Sequence, residues 1–295
     1  MSCEKPLLAA LLPVRSEETG KQQLKILGRT SWNIANAEAR FGARNLLLLP
    51  CGQCPSCKAS HQKEWAVRCS LESALYSQNC MITLTYEDRL RPRKLVKRDL
   101  QDFIKKMRNK GIKFRYFACG EYGTKNGHAH YHIIMFGYWP EDARFDIKTE
   151  KGYPLYKSKF VDSVWQRGIT SISEMTPGTA AYVAGYVDKK LGQGEFSLMS
   201  KKPGIGEAYF SENLLNIYKY DNLVGTFGVV KPPRYCDKIA ERACLVIDDV
   251  LERRKKAANS RIIDTMMDHS LEYKDQAVGY DAKKMHDKLQ RKERM

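Results

Sequence analysis

The sequence predicts an α+β fold organised on a central antiparallel sheet, and three observations carry that prediction. Residues 81–86 (Met-Ile-Thr-Leu-Thr-Tyr) alternate in the manner of a strand with one buried face. Residues 114–119 and 127–136 are two further apolar-rich runs joined by a short turn containing Gly, Asn and Lys, the pattern of a β-hairpin. Helical spacing of apolar residues at 99–110 and 177–191 then gives the order strand, helix, strand, strand, helix, which is that of helices laid on an antiparallel sheet.

Taken in order, residues 1–50 read as an N-terminal extension, with a weak helix signal at 31–40 and a run of four leucines ending at Pro50. Residues 51–79 form a Cys-rich segment, Cys51-Gly-Gln-Cys54-Pro-Ser-Cys57, followed by a helix from Lys58 to about Ser77. Residues 80–192 hold the predicted core. Its strand at 81–86 leads through a basic loop at 89–98 to a helix at 99–110, in which Leu100, Phe103, Ile104 and Met107 share a face and Gly111 is the stop. The hairpin follows, and then a loop-like stretch at 138–159. A short helix at 160–166 and a strand at 168–172 come next. Thr176-Pro177 reads as an N-cap with proline at the first helical position, and the helix it opens ends before Gly192. Residues 193–236 are a basic, turn-rich extension and 237–295 a charged helical tail.

The charge bounds the function. Fifty Lys and Arg against 34 Asp and Glu give +16, which calls for a polyanionic partner: nucleic acid first, an anionic membrane surface as the rival. No run approaches the length of a membrane-spanning helix. The N-terminus, with Glu4, Lys5, Pro6 and Pro13, lacks the basic-then-apolar order of a secretory signal.

The chemistry concentrates at Gly127–Phe136, where His128, His130 and His132 fall at alternate positions and so on one face of a strand. Neutral imidazole is a common metal ligand. Glu121, across the hairpin, supplies a carboxylate, and two nitrogens and one oxygen with open positions suit Mg²⁺ or Mn²⁺. His130, His132 and Glu121 are the expected ligands. His128 is an alternative ligand, a phosphate contact or an exposed residue. On the helix at 177–191, Tyr182, Tyr186 and Lys189 occupy about 60° of arc, away from Ala180, Val183, Ala184, Val187 and Leu191. An isolated pair of tyrosines one turn apart is most often the edge of a core. Beside a metal site, a phenolic oxygen can attack a phosphodiester, and Lys189 can stabilise the charge that develops.

Together these segments resemble the motifs of HUH endonucleases: residues 81–86, Gly120-Glu121-Tyr122-Gly123, His130-Tyr131-His132, and Tyr182-Val-Ala-Gly-Tyr186-Val-Asp-Lys189. They are most similar to replication initiators of gokushovirus-type Microviridae, a resemblance running from about Cys51 to Tyr235. It implies an HUH-like domain whose helix carries nucleophilic Tyr182 and Tyr186. It also implies a metal-dependent nick at the viral origin of the replicative form, a 5′-phosphotyrosine link, a 3′-OH primer for rolling-circle synthesis, and rejoining of the displaced circle. The implied setting is the host bacterial cytoplasm, with DNA and the host helicase and polymerase as partners and no membrane. A relaxase or transposase of the same superfamily is the alternative enzyme. A non-catalytic single-stranded-DNA-binding or packaging protein is the alternative outside enzymes.

Cys51, Cys54 and Cys57 suggest a structural Zn²⁺ site completed by Cys69 or His61. Reduced, non-ligating cysteines and an iron–sulfur cluster are the other readings.

Overall fold

The computed structural model of the chain describes residues 3, 5–17, 20, 22–29, 34–42, 45–123, 127–189, 195–254 and 256–257. It divides into two compact units, one formed by residues up to Ser60 and from Ile247 onward, the other by His61–Val246.

In the first unit, β1 (Leu7–Arg15) pairs antiparallel with both β2 (Gln22–Arg29) and β3 (Leu46–Leu49), and α1 (Ile34–Phe41) lies between β2 and β3 in sequence. Leu8, Ala10, Ala37 and Leu46 form its core. Residues 1–50 thus hold a three-stranded sheet where the sequence suggested an extension. The doublets of Leu-Leu-Ala-Ala-Leu-Leu followed by Pro13 break the two-residue alternation that marks a strand.

In the second unit, seven antiparallel strands lie in the order β10-β5-β6-β4-β9-β8-β7. They are β4 (Asn79–Tyr86), β5 (Arg115–Tyr122), β6 (Ala129–Phe136), β7 (Arg144–Lys148), β8 (Pro154–Lys157), β9 (Gly168–Glu174) and β10 (Phe196–Met199). The helices are α2 (Pro55–Ser73), which begins in the first unit, α3 (Lys97–Asn109), α4 (Lys159–Trp165) and α5 (Pro177–Lys189). After β10 come α6 (Glu207–Tyr220), a small hairpin of β11 (Leu223–Gly225) and β12 (Gly228–Val230), and α7 (Arg234–Arg242). The stretch at 138–159, expected as loop, contains the β7–β8 hairpin. All five residues of β7 are exposed, so no apolar alternation announces it. Of the helical tail expected at 237–295, residues from 258 onward lie outside the described residues.

Strand parity divides the sheet into two chemically different faces. On one, Cys80, Ile82 and Leu84 of β4 and Tyr131, Ile133 and Met135 of β6 pack against Leu100, Phe103, Ile104 and Met107 of α3 and Val161, Val164 and Trp165 of α4. Burying a side chain of this size stabilises a fold by about 1.5–3 kcal/mol, so this face anchors the unit. The Tyr131 hydroxyl is held at 3.0 Å by the backbone N–H of Val96 and at 2.9 Å by Tyr86, whose own hydroxyl donates to Asp99 at 2.5 Å. The opposite face carries Phe117, Cys119, Ile134 and Phe136, packed with Cys69 of α2 and Ala180 and Val183 of α5. Its polar end is where the functional residues lie.

α5 starts as its sequence requires. The Thr176 hydroxyl accepts from Thr179 N at 3.1 Å and the Thr179 hydroxyl from Thr176 N at 2.7 Å, a reciprocal cap ahead of Pro177. At the start of β9, a Cβ added to Gly168 would stand 2.3 Å from both Glu87 N and Thr85 O. Neither backbone atom can give way while β4 keeps its pairing. Gly168→Ala should therefore cost about 3 kcal/mol or more of stability, read by urea unfolding of the full chain. A loss under about 0.5 kcal/mol would mean that β4 and β9 separate freely there.

Candidate active site

The β5–β6 hairpin sets Glu121 opposite His130, and the β6–β4 pairing sets His130 opposite Thr85 and His132 opposite Thr83. Because cross-strand partners point to the same side of a sheet, all five side chains lie on the face that α5 covers. His132 Nε2 meets Glu121 Oε1 at 2.9 Å. Both are buried, at 4% and 6% exposure, and this decides the character of the contact: a polar pair shielded from water rather than a surface ion pair. The Thr83 hydroxyl lies 3.0 Å from His132 Nδ1, and the Thr85 hydroxyl 3.0 Å from His130 Nδ1. Each imidazole is thus held at Nδ1 by β4, which directs its Nε2 outward, as outer hydrogen bonds orient metal-ligating histidines. With Nε2–H donating to the Glu121 carboxylate, Nδ1 of His132 accepts from Thr83.

Glu121 and His132 are already in contact, and His130 stands further off. A Cβ at Gly123 would fall 2.9 Å from His130 Nε2, so the glycine leaves the space that this ring occupies. Burial, reinforced by His132, lowers the His130 pKa below the usual imidazole value. That favours the neutral, ligating form at pH 7.

Tyr182 projects from α5 onto the same spot, its ring edge-on to that of His132 with centroids 5.3 Å apart. α5 is tied to α2 by Gln62 Nε2, which donates to Ala181 O at 2.7 Å, and the missing side chain of Gly185 leaves room for that amide. Tyr186 and Lys189 follow Tyr182 within α5, and their side chains lie outside the described residues. His128 precedes β6 and meets the Arg91 guanidinium, with Nδ1 at 3.2 Å. Arg91 belongs to the basic loop between β4 and α3, where Arg89, Arg93, Lys94, Lys97 and Arg98 are also exposed.

Thr83 and Thr85 are the participants that sequence reasoning overlooked. Their signal was present: the two threonines of Met-Ile-Thr-Leu-Thr-Tyr occupy the parity opposite to the buried Ile82 and Leu84.

The cysteine cluster takes its fourth sulfur from Cys3, not from Cys69 or His61. Cys69 lies twelve residues beyond Cys57 on the continuous α2, about 18 Å along its axis, and is fully buried among Phe117, Ile134 and Phe136. His61 Nε2 accepts from Trp65 Nε1 at 3.0 Å. Among the described residues, no helix is long and apolar enough to cross a membrane.

A model of the family described as replication-associated protein ORF2 matches residues 79–191. The replication-associated protein ORF2 of Spiroplasma virus 4 is 33% identical over 269 residues, covering 82% of this chain and 84% of its own. The replication-associated protein VP4 of Bdellovibrio phage phiMH2K is 32% identical over 181 residues, 55% of this chain and 58% of its own. The replication-associated protein ORF4 of Chlamydia phage 1 is 31% identical over 159 residues, 48% of this chain and 38% of its own. No solved structure matches the chain. With a relative of this identity aligned over most of both chains, the protein belongs to the family of phage replication-associated proteins to which ORF2 of Spiroplasma virus 4 belongs.

Proposed function

We propose that this protein is an HUH-type endonuclease and strand transferase that initiates rolling-circle replication of a small single-stranded-DNA phage in the cytoplasm of its bacterial host. The observation that carries the reading is the Glu121–His132 contact at 2.9 Å with the Tyr182 ring set against His132, on one face of an antiparallel sheet. A carboxylate and two imidazoles, each steered by a threonine hydroxyl, are a fitting donor set for Mg²⁺ or Mn²⁺. Bound by Glu121, His130 and His132, such an ion supplies Lewis acidity at a phosphate oxygen.

In this reading the Tyr182 phenol loses its proton and its oxygen attacks the scissile phosphorus. The bond to the 3′ oxygen breaks, and that oxygen takes up a proton to become a 3′-OH. The DNA 5′ end is left as a phosphotyrosine, and attack by a 3′-OH reverses the exchange. Tyr186 is the second nucleophile, for the rejoining round, and Lys189 steadies the phosphorane. Residues 80–192 are the catalytic core. The exposed cations at 89–98 lie on the loop that reaches His128 and guide the phosphate backbone toward the site. Exposed Phe145 and Tyr153 of the β7–β8 region, near Arg144, Lys148 and Lys151 in sequence, offer surfaces for unpaired bases. The 3′-OH primes the host polymerase, with a host helicase opening the duplex.

The test incubates the full chain with Mn²⁺ and a labelled single-stranded origin oligonucleotide. A denaturant-stable adduct and a polymerase-extendable 3′ end are expected, both lost with Tyr182→Phe/Tyr186→Phe. DNA binding without an adduct would leave a packaging or binding protein in place of the enzyme. The threonines give a finer expectation. Thr83→Val should weaken Mn²⁺ binding by about 10- to 100-fold in calorimetric titration with little change in folding, since it removes only the hydroxyl that orients His132. Unchanged affinity would remove Thr83 from the ligand scaffold.

A further inference from the structure

The cysteines at the N-terminus have no part in the chemistry above, and their geometry is specific. The sulfurs of Cys3, Cys51, Cys54 and Cys57 all lie within 4.8 Å of one another, and none is in a disulfide. Cys3 and Cys54 are 3.7 Å apart, Cys51 and Cys57 4.0 Å. A disulfide requires about 2.05 Å, whereas four thiolates about 2.3 Å from a tetrahedral ion stand about 3.8 Å from each other. Both measured separations are edges of such a tetrahedron. Backbone N–H groups are aimed at the sulfurs as they would be at anions: Cys51 N at Cys3 Sγ, 3.3 Å, and Cys54 N and Gln53 N at Cys51 Sγ, 3.4 and 3.5 Å. An iron–sulfur cluster interposes several irons and inorganic sulfides between its cysteines and needs a wider setting. A compact all-sulfur tetrahedron selects zinc.

We propose that Cys3, Cys51, Cys54 and Cys57 bind one Zn²⁺ as a tetrathiolate site whose task is to fasten the N-terminal sheet. The four ligands come from three places in the chain. Cys3 precedes β1, Cys51 follows β3, and Cys54 and Cys57 bracket the start of α2, where Cys54 O accepts from Lys58 N at 3.0 Å. One ion therefore closes the outer ends of both pairings that hold β1 in place, and joins them to the first turn of a helix. The bond network is non-local, and its binding free energy becomes folding free energy of that unit.

The experiment uses the full chain purified under reducing conditions with zinc in the growth medium. Elemental analysis should give close to one zinc per chain, released by an organomercurial that titrates thiolates. Exchange for Co²⁺ should give the visible ligand-field bands of a tetrahedral ion and strong near-ultraviolet thiolate charge transfer. Cys3→Ser should weaken zinc retention against a chelator by at least tenfold, while Cys69→Ser and His132→Ala retain it. Zinc removal should raise amide hydrogen exchange in β1 and β3 by tenfold or more. Should Cys3→Ser fail to fold, the stoichiometry and cobalt spectrum of the unmodified protein still decide. Protein free of metal, a cobalt spectrum without thiolate bands, or a Cys3→Ser protein that holds zinc as tightly as before would overturn the proposal. None of these readouts requires DNA cleavage, so the inference stands or falls apart from the endonuclease reading.

Discussion

Tyr182→Phe in the otherwise unaltered protein should slow covalent adduct formation on a single-stranded origin oligonucleotide by about 10³-fold or more, the scale seen when a nucleophile is deleted from an assembled site. The substitution removes one oxygen and keeps the ring that meets His132 edge-on, and Tyr182 is only half-buried. Stability should accordingly move by less than about 1 kcal/mol, and metal affinity should hold. Tyr186→Phe stands one helical turn along α5 and should spare the first cleavage while slowing the rejoining step. Quantifying adduct and rejoined circle for each variant separates the two roles. A Tyr182→Phe protein that forms adduct at the parental rate would remove Tyr182 as the first nucleophile.

Glu121→Gln is the second large effect. The amide keeps the size of the side chain and can still hydrogen-bond His132, but it removes the only anionic donor of the set. Mn²⁺ affinity should fall by about 10²-fold or more, beyond what loss of an orienting hydroxyl costs, and cleavage should fall with it. The physical cause is electrostatic. In a buried site the carboxylate offsets the charge of a divalent ion that two neutral imidazoles cannot. Thermal unfolding without metal should change little, which sets this variant apart from one that simply misfolds. If saturating Mn²⁺ restored full activity, the carboxylate would be acting on affinity alone. If activity were unimpaired at every metal concentration, Glu121 would not be a ligand.

Much of this arrangement can be read from the chain because two simple periods were intact where it matters. β4 alternates strictly, α3 repeats every three to four residues, and β6 shows its histidines on one parity and its apolar residues on both. Pairing Glu121 with the histidines needed only a short hairpin, since the partners are nine and eleven residues apart. The N-terminal sheet was hidden because β1 carries apolar doublets and a proline. β7 was hidden because it buries nothing. Cys3 was missed for a different reason: its partners lie 48 to 54 positions away, and no local pattern encodes a contact closed by three separate segments. The choice of Cys69 in its place put weight on closeness in sequence, which a straight helix turns into distance. Thr83 and Thr85 show the reverse case, residues whose position was legible and whose chemistry became visible only beside the imidazoles.

The two-faced sheet has a consequence for how such a protein can change over generations. β6 alternates between anchoring residues and reactive ones, so substitutions can tune either set without touching the other. A single-residue insertion between His130 and His132 cannot do so, because it would turn one imidazole toward Trp165 and bring a core residue out beneath Tyr182. Lineages of this protein can therefore drift in composition along β6 but not in length, whereas the exposed β7 ribbon, free of that constraint, is where insertions can accumulate.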